Sequence, residues 1–129
     1  MEGYVSMAAA KLLDAVKNKD TAGTEASYLQ LRQLASGFMT VDGQNNDKIK
    51  VSFDSNPKLD YLEEKISAMP TESKMVVFHH FIHTNALISE RLTKLKIKHA
   101  RIWSGQKKVI EELSRFRDDP KCKILVLND

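Results

Sequence analysis

The second half of the chain alternates short apolar runs with longer segments of helical periodicity, and this pattern constrains the fold more than any other feature. The apolar runs cover residues 74–78, 97–103 and 124–127, and each is typical of a buried strand. The segments between them carry apolar residues at helical spacing, and Thr84 or Asn85 is the predicted N-cap of the first. Strands that alternate with helices are joined by right-handed crossovers. The sequence therefore predicts an α/β fold with a three-stranded parallel βαβαβ sheet.

Two helices and a short extended segment precede this unit. Apolar residues at helical spacing predict a first helix over residues 5–18 and a second over residues 25–38. Thr24 is the expected N-cap of the second helix, and Gly37 is its expected C-terminal signal. Turn residues and alternating apolar residues then predict a small hairpin or an extended loop over residues 39–55.

These elements divide the chain into three parts. Residues 1–38 form a helical head, residues 39–55 form a hairpin or linker, and residues 56–129 form the α/β domain. The domain is expected to open with a helix, because Asn56 is a favourable N-cap and Pro57 is favourable at the first helical position.

Composition and charge exclude several classes of protein. No apolar run approaches the ~20 residues that cross a bilayer, and the N-terminus has no signal-peptide pattern, so we expect a cytoplasmic protein without a membrane partner. The single cysteine, Cys122, excludes an internal disulfide. A net charge of +3 does not by itself indicate nucleic-acid binding. The stretch from Arg91 to Lys108 is basic and contains no acid, which indicates either a phosphate-facing surface or a solvated helix end and loop.

Three stretches of the chain carry a family resemblance by their order and spacing. The first is LRQLASGF at residues 31–38. The second combines residues 58–62 with SKMVVFHHF at residues 73–81. The third combines IWSG at residues 102–105 with ILVL at residues 124–127. Together they resemble the C-terminal RecA-like lobe of superfamily-two helicases, and specifically the Swi/Snf-type DNA translocases of phages and bacteria, in which the second stretch is motif IV and the third leads into motif V.

The resemblance implies an ATP-dependent DNA helicase or translocase with two RecA-like lobes, and with ATP and Mg²⁺ in the cleft between them. This chain is then part of the second lobe, truncated before motif V, and its expected partners are DNA and the N-terminal lobe of the same polypeptide. The implied location is the cytoplasm, either in the nucleoid or, for a phage protein, in the host cytoplasm. The chain contains no GxxxxGK[ST] loop to hold a triphosphate. Since phosphoryl transfer needs such a loop together with metal and arginine, we expect this chain alone to have no catalytic residue, no cofactor and no activity.

The final apolar run, residues 123–129, is expected to be an unpaired edge strand. An unpaired edge invites pairing with another chain. The sequence therefore predicts either self-association through this terminal strand or partial disorder at the C-terminus.

The candidate site lies at the carboxyl ends of the predicted strands, where open α/β sheets bind ligands. By resemblance to motif IV, the residues after the first strand lie near the DNA backbone or the interlobe surface. Those after the second strand are of types that donate hydrogen bonds or positive charge to phosphates. With two further cations of the basic stretch, the candidate DNA-binding residues are His79, His80, Phe81, Lys98, Arg101, Ser104, Gln106, Lys107 and Lys108.

Several observations have more than one interpretation. Trp103 either packs in the core, which is the commoner role, or stacks on a base. His79, His80 and His83 are metal-ligand types, as is Cys122, but adjacent strand residues point to opposite faces, which disfavours a shared ion. For the whole chain, the alternatives to a motor fragment are a stand-alone α/β module that binds nucleic acid or protein without ATPase activity, and a flavodoxin-like ligand-binding domain.

Overall fold

Residues 2–128 are described by a computed structural model of the chain, in which two units are distinguished. The first lies within residues 1–58 and the second within residues 59–129. None of the helices in the described part has the length and apolar character that crossing a bilayer requires.

The first unit contains two helices and a hairpin. Helix α1 spans Glu2–Lys17 and helix α2 spans Thr21–Ala35. Strands β1, Phe38–Asp42, and β2, Lys48–Ser52, pair in an antiparallel ladder. The hairpin predicted for this segment is therefore confirmed.

The two helices and the hairpin share a small apolar interior, and a glycine links α2 to β1. Ala8, Ala15, Leu34 and Phe38 are all buried. Gly37 connects α2 to β1 with a φ of 88°, a conformation that costs other residues a steric clash at Cβ. The prediction that Gly37 marks the end of the second helix is confirmed, although the helix itself stops at Ala35.

The start of α2 differs from the prediction that Thr24 is its N-cap. Asp20 is the N-cap, and its Oδ1 accepts a hydrogen bond from the backbone N–H of Gly23 at 3.0 Å. Thr24 lies one turn inside the helix, where its hydroxyl donates to the carbonyl oxygen of Asp20 at 2.7 Å. The prediction was wrong because Asp20 and Thr24 are both favourable N-cap residues. Asp20 comes first along the chain, and its side chain accepts the N–H of Gly23 in the first turn.

The second unit is a parallel sheet with helices on both faces. Its elements, in chain order, are α3 (Pro57–Ser67, from Leu59 onward), β3 (Met75–His79), α4 (Ile82–Lys94), β4 (His99–Ile102), α5 (Val109–Asp118) and β5 (Ile124–Asn128). All strand pairs are parallel, and the strand order is β3-β5-β4. The predicted α/β fold, with a three-stranded parallel sheet preceded by helices and a hairpin, is confirmed.

The core of this unit is divided by β5. Ile124 and Val126 face the side covered by α3 and α4, where they pack with Leu59, Ile88 and Leu92. Leu125 faces the other side, in a cluster that includes Ala100, Ile102 and Cys122 and that Val109 and Phe116 of α5 cover. Because β5 is buried on both faces, a continuous apolar run suits it.

The prediction that the terminal strand is an unpaired edge was wrong. β5 lies between β3 and β4, and it forms ladders with both. The edges of the sheet are β3 and β4. The burial pattern explains the order, since three successive residues of β5, Ile124 to Val126, are buried, whereas burial alternates along β3.

Two further predictions about this unit need correction. The first strand is not fully buried, because Val76 is 42% exposed and Phe78 is 69% exposed on a face of β3 that α5 does not cover. Neither Thr84 nor Asn85 is the N-cap of α4, since the helix begins at Ile82 with Phe81 in the N-cap position. Asn85 is instead fully buried within the helix.

Candidate nucleic-acid interface

The carboxyl ends of the three parallel strands lie at one edge of the sheet and bring together most of the predicted site residues. β3 ends at His79, and the segment after it leads into α4. β4 ends at Ile102, and the segment after it leads into α5. In this architecture, ligands bind outside these ends.

Asn85 connects the ends of two strands. Its Nδ2 lies 2.8 Å from Nε2 of His79 and donates to the carbonyl oxygen of Ile102 at 3.2 Å. Its Oδ1 accepts a hydrogen bond from Nε of Arg101 at 2.8 Å. Since a carbonyl can only accept and a guanidinium can only donate, these two partners fix the orientation of the amide.

The fixed amide in turn determines the tautomer of His79. Nδ1 of His79 lies 3.0 Å from the carbonyl oxygen of Phe81, which requires a proton on Nδ1. Nε2 then accepts from Asn85. Both ring nitrogens are therefore engaged within the protein, and the His79 side chain is a structural element of this edge.

A second pair of polar side chains, Ser89 and His99, connects α4 to β4. Ser89 lies one helical turn after Asn85, and His99 lies two strand residues before Arg101. The hydroxyl of Ser89 is 2.7 Å from Nε2 of His99. Residues four apart on a helix and two apart on a strand are separated by a similar distance along the axis, roughly 6 Å. A single alignment of α4 with β4 therefore allows both the Asn85–Arg101 and the Ser89–His99 contacts.

The turn after β4 carries the exposed polar groups of the edge. Ser104, Lys107 and Lys108 are exposed, and neither lysine forms an ion pair with any of residues 2–128. Gly105 has a φ of 87° and open space around it. Gln106 is partly buried, and its Nε2 donates to the carbonyl oxygen of Arg101 at 2.9 Å.

Trp103 lies outside both core clusters and is only partly buried. The guanidinium of Arg101 lies over its ring, 4.9 Å from the centroid. The interpretation of Trp103 as a core residue is therefore not what the structure shows. After β3, His80 is exposed and its ring meets the ring of Phe81 edge to face, with 4.9 Å between the centroids.

The basic stretch is divided between the two ends of β4. Lys98 precedes β4, and its Nζ lies 3.8 Å from Oδ2 of Asp119. It lines a pocket of about 350 Å³ at the amino end of the sheet, with Lys96 and Arg115. The structure thus separates Lys98 from Lys107 and Lys108, which lie at the carboxyl end.

Three buried side-chain oxygens at the carboxyl edge have no hydrogen-bond partner among residues 2–128. They are Oγ1 of Thr84, Oε1 of Gln106 and Oδ1 of Asn128, and each follows or ends a different strand. Buried polar atoms in native proteins are nearly always satisfied by protein, water or ligand. This edge therefore has hydrogen-bonding capacity for further polar groups. The same part of the chain contains no cluster of three His, Cys, Asp or Glu side chains arranged to hold a metal ion.

Sequence reasoning did not find the role of Asn85. The signal was present, because Asn85, Ile88, Ser89 and Leu92 recur at the spacing of one buried helical face. A polar residue on such a face needs a buried partner. The partners, however, come from β3 and β4, and only the assembled sheet identifies them.

Comparisons with known proteins give a fold but no family. No protein-family model and no curated protein matches the chain. The Sulfolobus solfataricus SWI2/SNF2 ATPase core, solved in complex with dsDNA, matches with a TM-score of 0.65 and 17% identity over 98% of this chain and 28% of that chain. The C-terminal domain of a SWI2/SNF2 ATPase from the same organism matches with a TM-score of 0.65 and 16% identity over 99% of this chain and 59% of that domain.

These matches establish that the chain has the fold of the C-terminal RecA-like domain of SWI2/SNF2 ATPases. The chain spans less than two thirds of either matched protein. At this level of sequence identity the likeness concerns the fold alone, and function is a separate question.

Proposed function

We propose that this chain is part of the second motor lobe of an ATP-dependent DNA translocase or helicase of the SWI2/SNF2 type, and that the carboxyl edge of its sheet faces DNA. The observation that carries the proposal is the match of 99% of the chain to the C-terminal domain of such an ATPase. A related ATPase core was solved with dsDNA bound. The finer assignment to phage and bacterial members rests on the sequence resemblance alone, and the assignment to the cytoplasm rests on that resemblance and on the sequence pattern.

The chemistry of the carboxyl edge supports a DNA-facing role. Lys107 and Lys108 are exposed at this edge without an ion-pair partner among residues 2–128, and Ser104 and the N-terminus of α5 are beside them. Lysines, hydroxyls and helix N-terminal amides are the groups that contact phosphate backbones. The proposed contact is therefore with the DNA backbone and is independent of base sequence.

A salt-dependent binding assay tests this role. Binding of a labelled DNA duplex is measured at two or more salt concentrations for the unaltered chain, for Lys107→Gln/Lys108→Gln and for Lys96→Gln/Lys98→Gln. The slope of log K against log salt is negative, and each lost phosphate contact reduces its magnitude by about 0.9. We expect a decrease of about 2 for the first double variant and no change for the second.

The second double variant is a matched control, because it removes the same charge from the same basic stretch at the opposite end of β4. Equal losses in both variants would show non-specific attraction to positive charge. Unchanged binding by Lys107→Gln/Lys108→Gln would contradict the proposed interface. Weaker binding by the control alone would place the contact at Lys96 and Lys98, at the amino end of β4.

In this proposal, ATP hydrolysis requires parts that this sequence does not contain. ATP and Mg²⁺ bind between two lobes, and the first lobe supplies the phosphate-binding loop. We expect no ATPase activity from this chain alone, with or without DNA. We also expect the natural gene to encode a GxxxxGK[ST] loop upstream of residue 1, and a gene without one would contradict the assignment to a motor.

A further inference from the structure

The pocket at the amino end of β4 is formed within one stretch of the second unit. Its described lining residues lie between Thr93 and Cys122, where α4 ends, β4 and α5 follow, and the chain approaches β5. Its volume of about 350 Å³ is near the lower limit for small-molecule sites, which measure roughly 300–1,000 Å³. The pocket therefore has the size of a site for a small ligand.

The strand edge beside this pocket is closed. On the outer side of β4, the carbonyl oxygen of His99 accepts from Nη2 of Arg115 at 2.6 Å. The N–H of Arg101 donates to Oε2 of Glu112 at 2.9 Å, and its carbonyl oxygen accepts from Nε2 of Gln106. These side chains occupy the backbone groups that a neighbouring strand would need. A larger sheet is therefore not extended at this edge, and the pocket is compatible with membership of a larger lobe.

Positive side chains outnumber negative ones around the pocket. Among the described residues, the charged groups that line it are the cations Lys96, Lys98 and Arg115 and the acid Asp119. Nζ of Lys98 lies 3.8 Å from Oδ2 of Asp119, which is longer than a hydrogen bond. The Lys98 ammonium can therefore take a further partner, and the lining has an excess of positive charge.

Arg115 is held in place by one of its nitrogens. Nη2 donates to the carbonyl oxygen of His99 at 2.6 Å and to Oε2 of Glu112 at 2.8 Å. Within residues 2–128, neither Nη1 nor Nε of Arg115 forms a hydrogen bond. A guanidinium is planar and rigid, so fixing one nitrogen also fixes the others. Arg115 therefore presents preorganised donors of the kind that suits a phosphate or carboxylate group.

Lys96 occupies a backbone position that favours glycine. α4 ends in a Schellman motif, in which the N–H of Ile97 donates to the carbonyl oxygen of Leu92 at 2.9 Å and the N–H of Lys96 donates to that of Thr93 at 3.0 Å. The φ of Lys96 is 58°, in the left-handed region. Glycine is the usual residue at this position because it has no Cβ to clash. Lysine carries a steric cost that glycine avoids, and its side chain lines the pocket.

We propose that this pocket binds a small phosphate monoester whose body is a compact apolar or aromatic group. The phosphate lies against Lys96, Lys98 and Arg115, and its charge of about −2 near neutral pH complements their excess of positive charge. The apolar body lies against Ile97 and Cys122, which supply apolar surface to the lining. The pocket and the turn that carries Lys107 and Lys108 are at opposite ends of β4, so this proposal and the DNA-facing proposal can fail independently.

A titration with phenyl phosphate, followed by nuclear magnetic resonance of the backbone amides, tests the site. We expect saturable shifts confined to residues 93–99 and 115–122, with a dissociation constant on the order of 1 mM. Inorganic phosphate lacks the apolar body and benzyl alcohol lacks the charge, so each is expected to bind at least about fivefold more weakly. Shifts centred elsewhere, or equal affinity for either comparison compound, would overturn the proposal.

Lys96→Gly separates a ligand-binding role from a structural one. Because glycine relieves the left-handed strain, the variant is expected to have a higher melting temperature than the unaltered chain. Because the variant lacks the ammonium, it is expected to bind phenyl phosphate at least about fivefold more weakly. A higher melting temperature with unchanged affinity would show that Lys96 does not bind the ligand, and would overturn the proposal.

Lys94→Gln is the matched control for the loss of one charge. Lys94 is two residues from Lys96, does not line the pocket, and has Nζ 3.3 Å from Oε1 of Glu90. The control is expected to keep its affinity for phenyl phosphate within about twofold of the unaltered chain. Equal weakening by Lys94→Gln and Lys96→Gly would show a general attraction between the basic stretch and anions, and would count against a defined site.

Discussion

Asn85 and Arg101 are joined by a hydrogen bond of 2.8 Å between Oδ1 and Nε, and this contact holds the end of β4 against α4. The other side of the same amide serves His79 and the carbonyl of Ile102. One buried side chain therefore aligns the ends of β3 and β4. The carboxyl edge proposed to face DNA depends on this alignment, although Asn85 itself is not exposed there.

Replacement of Asn85 by alanine is expected to destabilise the chain substantially. It leaves the carbonyl of Ile102, Nε2 of His79 and the guanidinium of Arg101 without this partner. A fully buried group that is left unsatisfied costs about 1–3 kcal/mol. Because some of these groups are only partly buried, we expect a total loss of about 2–4 kcal/mol in the free energy of unfolding. Urea unfolding followed by circular dichroism measures it. Ser89→Ala removes only one contact, to His99, and should cost less; equal costs would show that the Asn85 network has no special importance.

Arg91 links α3 to α4, and its replacement by glutamine is expected to have a measurable effect on stability. Its Nη1 lies 2.9 Å from both Oδ1 of Asp60 and Oε2 of Glu63, and the hydrogen bond to Asp60 is the main reason that the pKa of Arg91 is raised. The arginine side chain is 25% exposed. We expect a loss of about 1 kcal/mol that shrinks in high salt. The pair Lys94–Glu90 is more exposed, so Lys94→Gln should cost less than about 0.5 kcal/mol in the same unfolding assay.

Gly37 and Gly105 form a matched pair with nearly the same backbone conformation, with φ of 88° and 87°. Either alanine substitution incurs the left-handed strain of about 1–2 kcal/mol. A Cβ at Gly105 meets no atom within 4 Å, whereas a Cβ at Gly37 would overlap the side-chain amide of Asn56. We therefore expect Gly37→Ala to lower the melting temperature more than Gly105→Ala. A reversed order in calorimetry would show that Asn56 moves aside without cost.

The thiol of Cys122 is expected to react slowly in the folded protein. Burial is the main cause of its raised pKa, and the residue is 1% exposed. A raised pKa keeps the thiol protonated, and only the thiolate is nucleophilic. The same shift stabilises the fold at pH values below the pKa of the unfolded thiol, and this contribution is lost as the pH rises through the folded value. Reaction with a thiol reagent, followed with and without urea, should accelerate on unfolding; a fast reaction in native buffer would contradict the burial.

The helices and strands were largely predictable from sequence because their signals are local. The apolar run of residues 124–127 and the turn chemistry around Asp118 determine the last helix and strand in any tertiary context. The N-cap of α2 was mistaken because Asp20 and Thr24 have the same chemistry within one turn. The placement of Lys107 and Lys108 at the carboxyl edge follows from chain order alone, since a parallel strand and its turn define that edge.

The sequence by itself determined a parallel α/β unit, the bounds of its helices and strands to within a few residues, and the edge at which polar side chains gather. Only the tertiary structure decided the strand order, which places β5 between β3 and β4, because the β3–β5 ladder joins residues 49 positions apart and the β4–β5 ladder joins residues 25 positions apart. It also decided the roles of Asn85 and Lys74, whose partners lie on other elements. The local sequence pattern indicates which face of a helix or strand is buried. Which other elements pack against that face depends on the packing of the whole sheet.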